Sequence, residues 1–268
     1  MISSIGHQAI KVLKTANADE KARISHVVSK NWMDGGLSAD CREVPPERPG
    51  RPDKPDLLLP RDMPKRRNAK ARAARIAMLH AIAHIELNAI DLAWDMVARF
   101  GNNMPKEFID DWVQVADDEA RHFELLNNRL QELGSYYGAL PAHDGLWQSA
   151  MSTAHNLLAR LAIVPLVLEA RGLDVTPPLI AKFELANDIE SASALTIIYQ
   201  DEIDHVRFGQ KWFLYLCELE EVSADMTYQK LVREYFSGSL KPPFNIEARS
   251  AAGMYEDFYM PLVNIKTN

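Results

Sequence analysis

The amino-acid sequence predicts an all-α chain built around a four-helix bundle, and three observations carry that prediction. Four long stretches place apolar residues at helical spacing. The pattern Asp-Glu-x-x-His occurs on two of them, at Asp118 to His122 and Asp201 to His205. An earlier glutamate keeps step with each copy, Glu86 lying 33 residues before Glu119 and Glu169 lying 33 before Glu202. The whole set repeats at one offset, since Glu169, Glu202 and His205 follow Glu86, Glu119 and His122 by 83 residues each. Glutamate and histidine three positions apart share a helical face, roughly 5–6 Å apart at Cβ, so both can reach one metal. A bundle with one Glu from each of two helices and Glu-x-x-His from each of the other two is the arrangement that holds a pair of iron or manganese ions.

The N-terminal part, residues 1–64, reads as two short helices and an arm. Residues near Ser4 to Lys14 and Asn17 to Trp32 are expected to be helical, with Asn17 and Glu20 forming a capping box and Gly35-Gly36 a stop. Seven prolines between Arg42 and Pro64 cannot continue a helix and predict an extended arm, docked on the bundle through Leu57-Leu58-Leu59. Arg61, Lys65, Arg66, Arg67, Lys70, Arg72 and Arg75 then face Asp62 as the lone acid. Such a run reads first as a solvated helix start, with an RNA or phosphate surface as the alternative.

The bundle is expected over residues 65–221. Its first helix, about Ala69 to Phe100, carries Glu86 in the middle of the apolar stripe Leu79, Ile82, Ala83, Ala89, Ile90, Ala93 and Val97. A carboxylate there is costly unless paired or bound to metal. His80 and His84 fall on a different face and read as structural histidines. The second helix, Lys106 to Leu133, aligns Phe108, Trp112, Val115, Glu119, His122 and Leu126. After a loop in which His143 packs or lines a site and Asp144 caps, a third helix runs from Leu146 to Arg171, with a kink or local unwinding at Pro165. Gly172 is expected to end it and Thr176 to cap a fourth helix, about Leu179 to Glu221, with a break near Asn187-Asp188. Residues 222–268 read as a helical cap containing the turn Lys241-Pro242-Pro243-Phe244-Asn245.

Burying four carboxylates with two imidazoles is energetically implausible without cations, so the six residues read as metal ligands. Carboxylate and imidazole donors without thiolate point to iron or manganese over zinc or copper. Cys41 and Cys217 provide neither a disulfide framework nor a Cys-x-x-Cys site. Ligating histidines donate their remaining N–H to a carboxylate or carbonyl, so Asp118 is expected to serve His205 and Asp201 to serve His122. Tyr199, one turn before Glu202, is the candidate catalytic phenol, with a hydrogen-bonded core tyrosine as its alternative reading.

Glu86, Glu119, His122, Glu169, Glu202 and His205 resemble the ligand set of the ferritin-like di-iron superfamily, over roughly Leu79 to Leu216. The segments His80 to Leu87, Tyr137 to Trp147 and Glu169 to Pro177 resemble, more closely, a bacterial ferritin-like-domain family of unknown function. That likeness extends to the arm and the Pro243-Phe244-Asn245 turn, and the family is distantly similar to the di-iron tRNA hydroxylase. The resemblance implies a ferritin-like four-helix bundle holding two metal ions, iron first, with manganese or a mixed pair as alternatives. It further implies an oxidoreductase that activates dioxygen, most simply a hydroxylase or oxygenase, with an organic substrate and an external electron donor. The alternatives are iron handling or peroxide detoxification, and tRNA modification.

Composition is consistent with this. Of 268 residues 47% are apolar and 25% charged, the formal charge is −7, and the longest apolar run, Leu161 to Leu168, is far too short to span a bilayer. Acidity gives no general reason to expect nucleic acid, no membrane partner is expected, and the cysteine usage suits a reducing cytoplasm. The oligomeric state is open, a dimer being one option.

Overall fold

The structure is a computed structural model that describes residues 3–59, 62–63 and 71–263. It is all-α: no strand occurs among the described residues, and the extended contacts are isolated bridges such as Leu57 with Ala142. The chain forms two compact units, Met1–Trp147 with Lys182–Ala194, and Gln148–Ala181 with Leu195–Asn268.

The first unit is built on α1 (Ile5–Lys14), α2 (Ala18–Met33), α3 (Arg72–Phe100) and α4 (Lys106–Glu132). Their boundaries follow local chemistry. Ser4 Oγ accepts from His7 N–H at 3.1 Å and Asn17 Oδ1 from Glu20 N–H at 2.9 Å, each satisfying a donor that the first turn leaves open. At the far end of α4 the chain reverses at Gly134, whose φ of +65° suits a residue without a Cβ. Helix α3 is buried on nearly all sides from Ala89 to Ala98. Its residues to Asn103 contain a window apolar enough to cross a membrane, with mean hydropathy 1.3, but 67% of that window is buried within the chain.

One face of α3 is polar and buried: His84, Asn88, Asp91 and Asp95, spaced three or four apart. The proline-rich arm docks there, as a packed arm should, though not through its leucines. Leu57, Leu58 and Leu59 are exposed, whereas Arg51 pairs with Asp91 at 2.6 Å and reaches Asn88 Oδ1 at 2.6 Å. Buried Lys21 closes on the other oxygen of Asp91 and donates to Gly50 O at 3.0 Å. A buried carboxylate demands cations more strongly than exposed leucines demand cover, so the ion pair sets the docking. His80 and His84 are structural here. His80 Nε2 accepts from Gly138 N–H at 2.9 Å, while His84 bonds the Tyr137 hydroxyl at 2.8 Å and the His143 carbonyl at 3.0 Å. Burial pushes His84 down to about 4, which keeps it neutral. His143 thus holds its loop, its ring accepting from Gly145 N–H at 3.2 Å, and Asp144 pairs with Arg48 at 2.5 Å.

The region from Leu146 to Arg171, expected as one helix, is divided. Helix α5 (Gly145–Ser152) ends before His155, which meets Tyr235 Oη at 3.2 Å, and α6 (Leu157–Ile163) restarts with Asn156 as its cap. Buried Arg160 makes the break tolerable, donating to Thr153 Oγ1 at 2.9 Å and to Ala150 O at 2.6 Å. A π-helical turn follows over Val164–Glu169, at the local unwinding that Pro165 predicts. Its Leu166 carbonyl accepts from Tyr228 Oη at 3.1 Å.

Helix α7 (Ala170–Leu185) corrects two expectations: Gly172 does not end a helix and Thr176 does not cap one. The helix passes through Pro177 and Pro178, and the bond lost at Pro177 is replaced from elsewhere. Pro177 cannot donate to Leu173 O, and Asn245 Nδ2 does so instead at 3.2 Å. The expected break near Asn187-Asp188 is present, with Asn187 at φ +56° and Asp188 Oδ1 accepting from Ser191 N–H at 3.3 Å as α8 (Ile189–Leu219) begins. Helices α9 (Ala224–Tyr235), α10 (Ile246–Ala251) and α11 (Glu256–Tyr259) complete the second unit.

Candidate metal centre

In the first unit the antiparallel order of α3 and α4 brings Glu86, Glu119 and His122 together. All three are buried, at 3%, 0% and 0% exposure. His122 Nδ1 lies 3.3 Å from Glu86 Oε2 and 3.4 Å from Glu119 Oε2, and one ligand atom from each residue falls within 4.8 Å of the others. Burial first, and then the charge of Glu119, push Glu86 up to about 8. Two carboxylates facing one imidazole nitrogen in an interior without solvent are a poor apolar core and a good cation site. The Nδ1 of His122 faces the carboxylates, so Nε2 is the atom left for an outer partner.

In the second unit Glu202 and His205 lie one turn apart on α8, with His205 Nδ1 3.9 Å from Glu202 Oε1. Again it is Nδ1 that faces the carboxylate. Glu169 closes the π-helical turn, and two contacts set the register of that segment against α8. A Cβ added at Gly209 would lie 2.4 Å from Pro165 Cβ, so the Pro165 ring packs directly on the Gly209 backbone. Asn245 Nδ2 spans Leu173 O at 3.2 Å and Tyr199 Oη at 2.9 Å, so residue 173 lies near residue 199. Between these ties, Glu169 comes level with the turn that carries Glu202 and His205. The close approach needs a residue without a side chain, which is why glycine stands at 209.

The other sequence candidates are placed as follows. Asp118 Oδ1 accepts from Arg121 at 2.7 Å on the same helix, and Asp201 is half-buried on α8 beside Glu202. The Tyr199 hydroxyl accepts from Asn245. Arg61, Lys65, Arg66, Arg67 and Lys70 lie outside the described residues. Arg72 donates to Leu133 O at 2.7 Å and Arg75 pairs with Asp188 at 2.9 Å, so both brace helix ends. Cys41 and Cys217 are buried and burial pushes each thiol up to about 11, which keeps thiolates out of the donor set. Sequence reasoning missed Asp91, Lys21, Arg51, Asp174, Asn245 and Arg249. The polar spacing of His84, Asn88, Asp91 and Asp95 was a readable sign of the first three. The bonds that tie the others to one another and to Tyr199 span 46 to 75 residues, so no local pattern marks them.

These observations define an all-helical protein with a buried carboxylate and imidazole group able to hold metal. Residues 14–260 match the family described as "Protein of unknown function (DUF455)", and the chain belongs to that family. It is 39% identical over 264 residues to an uncharacterized protein of Haemophilus influenzae, covering 94% of this chain and 91% of that one. No solved structure matches.

Proposed function

We propose that the chain is a non-haem dimetal oxidoreductase of ferritin-like architecture, acting as a hydroxylase or oxygenase on an organic substrate. The observation that carries this reading is the buried group of Glu86, Glu119 and His122, where two carboxylates share one imidazole. In this reading Glu169, Glu202 and His205 supply the second half of one centre, as the 83-residue offset suggests. The donor set of oxygen and nitrogen without sulfur suits iron, and after it manganese. A bound pair of redox metals would supply the electron transfer to dioxygen that no side chain can perform. The protein's part is to hold two carboxylates and one histidine per half, keep water out, and orient each imidazole through Nε2. Asp118 and Asp201 are assigned the orienting role in the crossed sense, each serving the histidine of the other copy.

The test is dioxygen consumption by the reduced, iron-loaded protein in the presence of fractionated cell extract. The expected result is uptake that rises with one fraction and yields an oxygenated product. Rapid peroxide consumption with no such product, or assembly into a hollow shell, would replace this reading with iron handling. Binding of tRNA that is lost when Lys65, Arg66 and Arg67 are neutralised would name the substrate class as RNA.

A further inference from the structure

We propose that Asn245 is a positioning residue: it holds the phenol oxygen of Tyr199 as a hydrogen-bond acceptor, which leaves the Tyr199 O–H free to donate to the group bound beside the metals. The proposal rests on the dimetal reading above and assigns it one more pair of residues.

The orientation of the Asn245 amide is fixed by its surroundings. Its Oδ1 accepts from Ala248 N–H at 3.1 Å, capping α10. Its Nδ2 donates to Leu173 O at 3.2 Å and to Tyr199 Oη at 2.9 Å. A flipped amide would set oxygen against the Leu173 carbonyl and nitrogen against the Ala248 N–H, losing both bonds. The phenol oxygen must therefore accept, and its single proton points away from Asn245. Tyr199 lies one turn before Glu202 on α8, so the two stand side by side on the helix surface.

The turn that delivers Asn245 is itself anchored beside Glu169. Asn245 N–H donates to Asp174 Oδ1 at 2.9 Å, and buried Arg249 clamps Asp174 at 2.7 and 2.9 Å while donating to Ala170 O at 3.2 Å. The Arg249 guanidinium also stacks on Phe244 and Tyr259, at 5.0 and 4.6 Å from their ring centres. One amide thus does three jobs, capping α10, repairing the carbonyl that Pro177 leaves open and orienting a phenol.

The experiment uses the full chain labelled with 13Cζ-tyrosine, the Tyr199 resonance being assigned by its loss in Tyr199→Phe. Asn245→Ser keeps an oxygen for the α10 cap and removes the amide donor, and Asn245→Asp keeps the cap oxygen and replaces the donor by an acceptor. The expected result is that the Tyr199 resonance moves in both, further in Asn245→Asp, and whichever variant folds suffices. Asn245→Ser keeps the wild-type metal content but slows dioxygen uptake on the order of five- to tenfold, the worth of one hydrogen bond. Tyr199→Phe slows it by a similar factor and the double variant by no more. An unmoved Tyr199 resonance, or losses that multiply in the double variant, overturns the proposal while leaving the dimetal reading intact. A wild-type chain that takes up no metal sinks that reading and this proposal with it.

Discussion

Glu86 carries a free-energy cost set first by burial and then by the charge of Glu119, which the imidazole of His122 offsets only in part. That cost sets a pH dependence. The ordinary value of the carboxyl is 4.5 and the folded value about 8. Below both, the acid is protonated in folded and unfolded chains alike, and its contribution to stability is fully present. As pH rises between them the unfolded chain releases a proton that the folded chain keeps. The metal-free protein should therefore lose stability by up to ~1.4 kcal/mol per pH unit across this window. Urea midpoints measured in chelator should show this slope in the wild type and its removal in Glu86→Gln; equal slopes in the two would contradict it. A bound cation takes the place of the proton, so metal loading should flatten the slope, and metal affinity should rise with pH. Asp118→Ala tests the outer partners: with the crossed assignment it should weaken metal binding on the order of 10–100-fold with little change in fold. Unchanged affinity would reduce Asp118 to its bond with Arg121.

At the scale of elements, legibility follows how local the causes are. Helices α2 and α4 were readable because Asn17 and Gly134 act within one turn of where they stand, although the Glu20 carboxylate pairs with Arg23 instead of closing the capping box. The unwinding at Pro165 was readable for the same reason. The course of α7 was not, since Gly172, Pro177 and Pro178 signal a boundary that Asn245 cancels from 72 residues away. The break before α6 was hidden likewise, because Arg160 reaches back across it to the Ala150 carbonyl and the Thr153 hydroxyl. Two substitutions test these joints. Gly209→Ala should cost about 1–3 kcal/mol by forcing a methyl against Pro165, and should also lower metal content, since the contact lies one turn from both Glu169 and His205. Asp91→Ala should cost ~3–5 kcal/mol by stranding the Lys21 ammonium, with the metal content of the folded fraction unchanged. Urea unfolding and metal analysis of each variant distinguish a joint that serves the site from one that serves the arm.

For the whole molecule, the sequence spacing and the structure agree on all-helical organisation and on a buried group of carboxylates and imidazole able to hold metal; the 83-residue repeat of Glu, Glu and His belongs to the sequence. The repeat was legible because a metal site needs fixed residue types at fixed helical spacing. The arm's anchorage was not, because a single arginine meeting a buried aspartate leaves no periodic mark. Metal that binds the folded chain and not the unfolded one should stabilise it. Loading at 100 times the dissociation constant should add about 2.7 kcal/mol to the unfolding free energy. The most direct measurement of the central claim is metal stoichiometry in purified wild-type, Glu119→Ala and Glu202→Ala chains. Two ions per wild-type chain are expected, with loss of that stoichiometry in each variant. Retention of both ions in either variant, or a wild type that binds none, would contradict that claim.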